Sequence, residues 1–160
     1  MLLYIGAICI FIFTFYFVFS YEKYQRQRIF LGKTLLDFLK FAENEVRGLG
    51  RPMAVCAKEF PCAAGGLAAF FSSLSEGMAP GEAYRSACDT LPLPEGMDAV
   101  LREAFDAFSG GRDAVRRGVK DARARCECLL DTADREMMRR LQLFRTLTTA
   151  SAMGLVILLL

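Results

Sequence analysis

Cys126 and Cys128 stand two apart in "RCECLL", the tightest cysteine pair in a chain of 160 residues with six cysteines and no histidine. Two thiols can hold a zinc ion or cycle as a disulfide only if they converge, and on a helix a spacing of two sends them to different faces. The expectation is therefore of buried, small apolar cysteines in a reducing cytoplasm. The carboxylate pairs Glu43 and Glu45, and Asp131 and Asp134, are expected on wetted helix faces, with no neighbour to split them into an acid and a base. The lack of histidine removes the usual general base, the usual activator of a nucleophile and the commonest metal ligand. "SGGRD" at 109 to 113 is rich in glycine but lacks the Gly-Lys-Ser/Thr ending of a phosphate-binding loop. Basic residues are not interleaved with aromatics as a single-stranded nucleic acid groove requires. The expectation is a protein that is not an enzyme, takes no cofactor or metal and binds no nucleic acid.

One basic set is spaced for binding. Arg112, Arg116, Lys120 and Arg123 fall three or four apart, along one face of a helix. They form either a solvated face, partly balanced by Asp113 and Asp121, or a docking face for an acidic protein surface.

The elements that must carry these residues read as all-α. From 29 to 49, Leu31, Leu35, Phe38, Ala42, Val46 and Leu49 recur at steps of three or four, a one-faced helical stripe. Gly48 and Gly50 are expected to end that helix, with Pro52 in the first turn of a short helix reaching about Phe60. A further helix carries Ala63, Leu67, Phe70 and Leu74 up to Gly77, and Pro80 opens another with Tyr84, Ala87, Cys88 and Leu91 inward. After "LPLPEG", a helix bears Met97, Val100, Leu101, Ala104, Phe105 and Phe108. From about Asp113 no proline follows, so a single helix is expected to run into the apolar tail. Its stripe is Val115, Val119, Ala122, Cys126, Leu129 and Ala133, then Met137, Leu141 and Phe144, stepping as a coiled-coil seam does.

Both ends are hydrocarbon. Residues 1 to 20 carry no charge, and at about 1.5 Å per residue they match a hydrocarbon layer of roughly 30 Å. Residues 146 to 160 are shorter, with Leu141, Leu143 and Phe144 in the preceding turn and Arg145 able to snorkel to the headgroups. Lys23, Arg26 and Arg28, with Lys33, follow the first run, and Arg135, Arg139, Arg140 and Arg145 precede the second. Such cations stay in the cytoplasm, so the expected topology is a hairpin: transmembrane helices at 1 to 20 and 146 to 160, and a helical bundle domain at 21 to 145 inside the cell. The alternative is a secreted or sensory helical protein with a cleaved signal peptide and a C-terminal membrane anchor. Against it, Met1 to Gly6 is uncharged where a signal is basic, the run closes on "FVFSYEK", and five cysteines would remain, an odd set for a paired framework.

The order of "ENEVRGLGRPM" at 43 to 53, "FFSSLSEGMAPGEAYRSA" at 70 to 87, "LREAFDAFSGGRD" at 101 to 113 and "GLVILLL" at the end resembles stage III sporulation protein AB of endospore-forming bacteria. The family's acidic-aliphatic-Gly-Pro-Leu pattern aligns with Glu45, Val46, Gly48 and Pro52, with Met53 in place of Leu. A second pattern aligns with Gly77, Glu82, Ala83 and Tyr84, where tryptophan is more usual at the last position. In a third, Gly111 and Asp113 match, while Arg112 stands where serine is usual and Arg117 about where glutamine is. The resemblance implies a helical cytoplasmic domain similar to those of the secretion and pilus inner-membrane platform protein. It implies a place in the channel apparatus joining mother cell and forespore, in the mother-cell membrane around the forespore. The implied partners are other membrane subunits of that complex, the lipid bilayer and a cytoplasmic secretion-type ATPase.

Overall fold

Among the described residues, two helices without internal proline come first and last in the sequence, with four short α-helices between them. A computed structural model describes residues 2–61, 65–110 and 112–159. Helix α1 runs Leu2–Asn44 and continues as a π turn, Glu45–Leu49; α2 is Met53–Glu59; a 3-10 turn, Gly65–Leu67, leads into α3, Ala68–Ser75; α4 is Pro80–Cys88, α5 Met97–Ala107 and α6 Arg112–Leu159. Every regular element among the described residues is helical, as the periodicity predicts. The expected first apolar run and the 29 to 49 helix are one continuous α1, and α6 runs unbroken into the tail as expected.

The residues divide into two compact units, one of residues Arg28–Thr132 and one joining Met1–Gln27 to Ala133–Leu160. In the first, the core is built around Phe38 of α1, which is fully buried. Its ring meets Phe71 at 4.9 Å, Phe60 at 5.2 Å, Phe70 at 6.1 Å and Phe105 at 6.3 Å, drawing α1, α3, α5 and the end of α2 to one point. Offset and edge-to-face rings of this kind add to the area they bury. Close approach elsewhere depends on missing side chains. A Cβ on Gly32 would stand 2.9 Å from both Leu130 Cδ2 and Met97 Sδ; one on Gly81 would overlap the Asp106 carboxylate; one on Gly118 would lie 2.7 Å from Ala107 Cβ.

Chain direction changes where the backbone chemistry requires it. Gly77 takes φ +93° behind α3, its N–H bonding Leu74 O at 3.1 Å while Met78 N–H bonds Ser73 O at 3.1 Å, the paired closure that a left-handed residue permits. Pro80 then opens α4 at its first turn. "LPLPEG" stays irregular, and the Arg28 guanidinium donates to the carbonyl of Leu93 from Nε at 3.1 Å and also from Nη2. Gly96, φ +78°, starts α5.

The stripes of α1 and α6 differ from their predicted course, Cys88 and Phe108 are half-buried where both are expected inward, and Ala63 lies outside the described residues. Leu31, Leu35, Phe38 and Ala42 are buried, but Val46 is half-buried and Leu49 is 66% exposed. The π turn closes with one residue more than an α turn, so positions beyond Asn44 rotate off the core face. Gly50, φ +65°, ends it, its N–H bonding Glu45 O, whereas Gly48 lies within the turn with open space around it. Pro52 is extended and stands one residue ahead of α2 rather than inside its first turn. On α6 the buried residue after Cys126 is Leu130, not Leu129, because an unstrained helix at 3.6 residues per turn drifts from a 3.5 repeat.

Candidate docking surfaces

The predicted basic face is carried by the first turns of α6, and those turns are held by Gly118. Its near contact with Ala107 pins one side of α6 to the end of α5. Residues two before and two after lie about 200° away around the axis, so Arg116 and Lys120 point outward, and both are exposed. Neither has an ion-pair partner among the described residues. Arg123, also exposed, differs: its Nε lies 3.3 Å from Glu127 Oε1, which Lys40 Nζ of α1 meets at 3.0 Å. Hydrogen bonds from Lys40 and then Arg123 hold the Glu127 carboxyl below its ordinary range. Asp121, expected to balance the face, lies 3.5 Å from Arg125, which also reaches Glu103 at 2.8 Å. The unpaired positive charge thus contracts to Arg116 and Lys120. The Arg112 side chain and the whole of Gly111 lie outside the described residues, and Asp113 is exposed in the first turn of α6, where a carboxylate suits the helix dipole.

The other motif positions do structural work. Arg51 Nη1 bonds Glu59 Oε2 at 2.6 Å and stands 3.3 Å from Glu45 Oε2, an atom with no surface of its own and no hydrogen bond among the described residues. Burial, with Glu45 adding to it, pushes the nearby Cys56 thiol up. Glu82 is exposed in the first turn of α4, while Tyr84 is wholly buried, stacked 5.0 Å from Phe105, with its hydroxyl donating to Asp98 Oδ1 at 3.1 Å. Burial, then the Asp98 charge, raises the Tyr84 phenol far above its ordinary value. Asp98 Oδ2 in turn accepts from Arg102 at 3.1 Å. Sequence reasoning missed Gly81, whose close approach to Asp106 positions α4 on α5; only its place beside Pro80 hinted at it. It also missed Arg28's bond to Leu93, since a cation near an apolar run reads as a membrane-edge residue.

Cys126 and Cys128 do face different ways. Cys126 is buried and its thiol is pushed up to about 11 by desolvation, but Cys128 is exposed, against the expectation that both are buried. Among the described residues no group of three His, Cys, Asp or Glu side chains could hold a metal.

In the second unit, Tyr21 and Phe144 rings meet edge-on at 6.0 Å and Arg140 Nη1 donates to the Tyr21 hydroxyl at 3.3 Å. Among the membrane-edge set, Arg26 is paired with Glu22 at 2.8 Å, while Lys23 and Arg145 are exposed. Thr146, Thr148 and Thr149 each return their hydroxyl to a backbone carbonyl three or four residues earlier. Among the described residues no helix is long and apolar enough to cross a membrane. Both expected spans, 1 to 20 and 146 to 160, fall in part on residues outside that description.

Fold and surfaces together define an all-helical protein with a globular helical unit and a second unit that joins its two ends. Among curated proteins and among solved structures nothing matches. The model of one family does, over residues 3–160: the chain belongs to the stage III sporulation protein AB family.

Proposed function

We propose that this sporulation protein is a two-span membrane subunit whose helical domain acts, without catalysis, as a platform or adaptor in the channel apparatus linking mother cell and forespore, beside a cytoplasmic secretion-type ATPase. The observation that carries the reading is the union of the two apolar ends in one unit, meeting at Tyr21, Arg140 and Phe144. An aromatic-and-arginine junction of this composition suits the headgroup level of a bilayer. The internally bonded hydroxyls of Thr146, Thr148 and Thr149 support it too, because a polar group in hydrocarbon must find its partner within the protein. The cations beside both apolar runs favour a cytoplasmic domain, and the resemblance to the family implies that this is the mother-cell side of the outer forespore membrane. Arg116 and Lys120, exposed and unpaired, are the residues that would meet an acidic face of the ATPase.

Thiol topology tests the span reading. A cysteine at exposed Gly110 is scored with a membrane-impermeant maleimide on intact and permeabilised protoplasts, with Cys9, Cys62, Cys88 and Cys128 replaced and buried Cys56 and Cys126 kept. Labelling only after permeabilisation is the expected result; labelling of intact protoplasts would place the domain outside and overturn the platform. Docking is tested by Arg116→Glu with Lys120→Glu, expected to abolish ATPase co-purification with the fold intact. Unchanged ATPase binding and sporulation would remove the docking half.

A further inference from the structure

Charge in the globular unit is unevenly spread along the chain. From 59 to 101 there are six carboxylates and one cation, Arg85, whereas from 112 to 125 there are six cations and two carboxylates. The fold sharpens the contrast by using up the exceptions. Arg85 Nη2 lies 2.7 Å from Asp106 Oδ1, Arg102 Nη2 lies 3.1 Å from Asp98 Oδ2, and Asp121 is drawn to Arg125 at 3.5 Å. On α4 this leaves Glu82 and Asp89 exposed with no cation partner among the described residues. On α6 it leaves Arg116, Arg117 and Lys120 exposed with no anionic partner among the described residues, and Asp113 alone beside them. These two faces belong to different sides of α5. Helix α4 is tied to Asp98, Arg102 and Asp106, through Tyr84 at 3.1 Å, Cys88 at 3.6 Å and Arg85. Helix α6 is tied to Glu103 and Ala107, through Arg125 at 2.8 Å and the close approach of Gly118. At about 100° per residue, those two sets form stripes roughly 120° apart on α5. Glu82 and Asp89, seven residues apart, share one side of α4, and no ion pair joins that side to the α6 cations among the described residues.

One exposed helix face therefore carries free cations, another free carboxylates, and each is the charge complement of the other. Faces that are complementary but lie at different places on one chain cannot satisfy each other at a two-fold axis; they join copies head to tail. We infer that the α6 face of Arg116, Arg117 and Lys120 docks on the α4 face of Glu82 and Asp89 in a second copy of this chain. Exposed ion pairs are individually weak, so the contact depends on several acting together and fades as salt shortens the screening length. A consequence for regulation follows, and it rests on the docking reading above: an acidic partner that takes Arg116 and Lys120 displaces the neighbouring copy, so self-association and partner binding exclude each other.

The test cross-links the full chain in detergent with a zero-length carbodiimide, which joins a lysine amine to a carboxylate in direct contact, using an equal mixture of light and heavy-nitrogen protein. The parent is expected to give a ladder of dimer and larger species that fades at high salt, with mixed-isotope peptides joining Lys120 to Glu82 or Asp89. Glu82→Lys with Asp89→Lys, and separately Arg116→Glu with Lys120→Glu, should each weaken the ladder about tenfold or more, since like charges then face each other. An equal mixture of the two variants should regain the dimer and stop there, because only one complementary pair of faces remains; that recovery also shows that both variants fold. A ladder that survives the α4 reversal, or a mixture that recovers nothing, would overturn the self-docking. The α4 reversal leaves Arg116 and Lys120 in place, so it should lose the ladder and keep ATPase co-purification. Loss of the ladder in the Arg116→Glu, Lys120→Glu variant with ATPase binding unchanged would sink the ATPase docking and the exclusion drawn from it, and leave the self-docking standing.

Discussion

Replacing Gly118 with alanine sets two effects of opposite sign against each other. Alanine in a helix interior is favoured over glycine by about 1 kcal/mol. Against this, the new methyl would stand 2.7 Å from the Cβ of Ala107, about an ångström inside ordinary carbon contact. Neither atom can rotate away, because each is the first carbon off its backbone, so the end of α5 and the start of α6 must part. Overpacking of that kind costs about 1–3 kcal/mol, leaving a net loss of roughly 1 kcal/mol and a fall in midpoint of about 4–8 °C for a domain near 100 residues. Thermal unfolding by circular dichroism, on the full chain in detergent, reads it. Moving the methyl rather than adding it, with Ala107→Gly and Gly118→Ala together, should recover most of the loss despite the glycine introduced into α5. A single variant whose midpoint rises would refute the reasoning, showing that propensity acts alone and that Gly118 does not hold the basic turns of α6 against α5.

Three further outcomes are expected. Tyr84→Phe removes the bond to Asp98, which keeps Arg102 and water, so the loss should be about 1 kcal/mol by denaturant unfolding and not the larger cost of an orphaned charge. Gly77→Ala should destabilise by about 1 kcal/mol or more in the same assay, because a Cβ at φ +93° is strained although the space around it is open. Glu127 has its folded pKa lowered, so its contribution is present above the unfolded carboxylate pKa and is lost as pH falls through the folded one; Glu127→Gln should flatten that acid-side slope, and only slightly, since the group is exposed.

The sequence by itself determined the helices and most of their inner faces. Leu31, Leu35, Phe38 and Ala42 could be placed because an unbroken α-helix repeats its face every three or four residues, and Val115, Val119, Ala122 and Cys126 for the same reason. Gly77 and Pro80 were legible because a left-handed turn and a fixed φ are local properties of the residue. The diffuse order of segments sufficed for the family, since it spans residues 3–160. Only the tertiary structure decided what depends on a partner distant in sequence. That Val46 and Leu49 leave the core follows from a π turn that no residue type announces. Gly32, Gly81 and Gly118 are close-approach sites only because other helices arrive there. The basic face looked uniform in one dimension, yet Lys40 brings Glu127 into a pair with Arg123 and Glu103 helps draw Arg125 and Asp121 away from it. Charge periodicity says which residues share a face, whereas neutralisation is a matter of a few ångströms between side chains, and that distance exists only once the chain has folded.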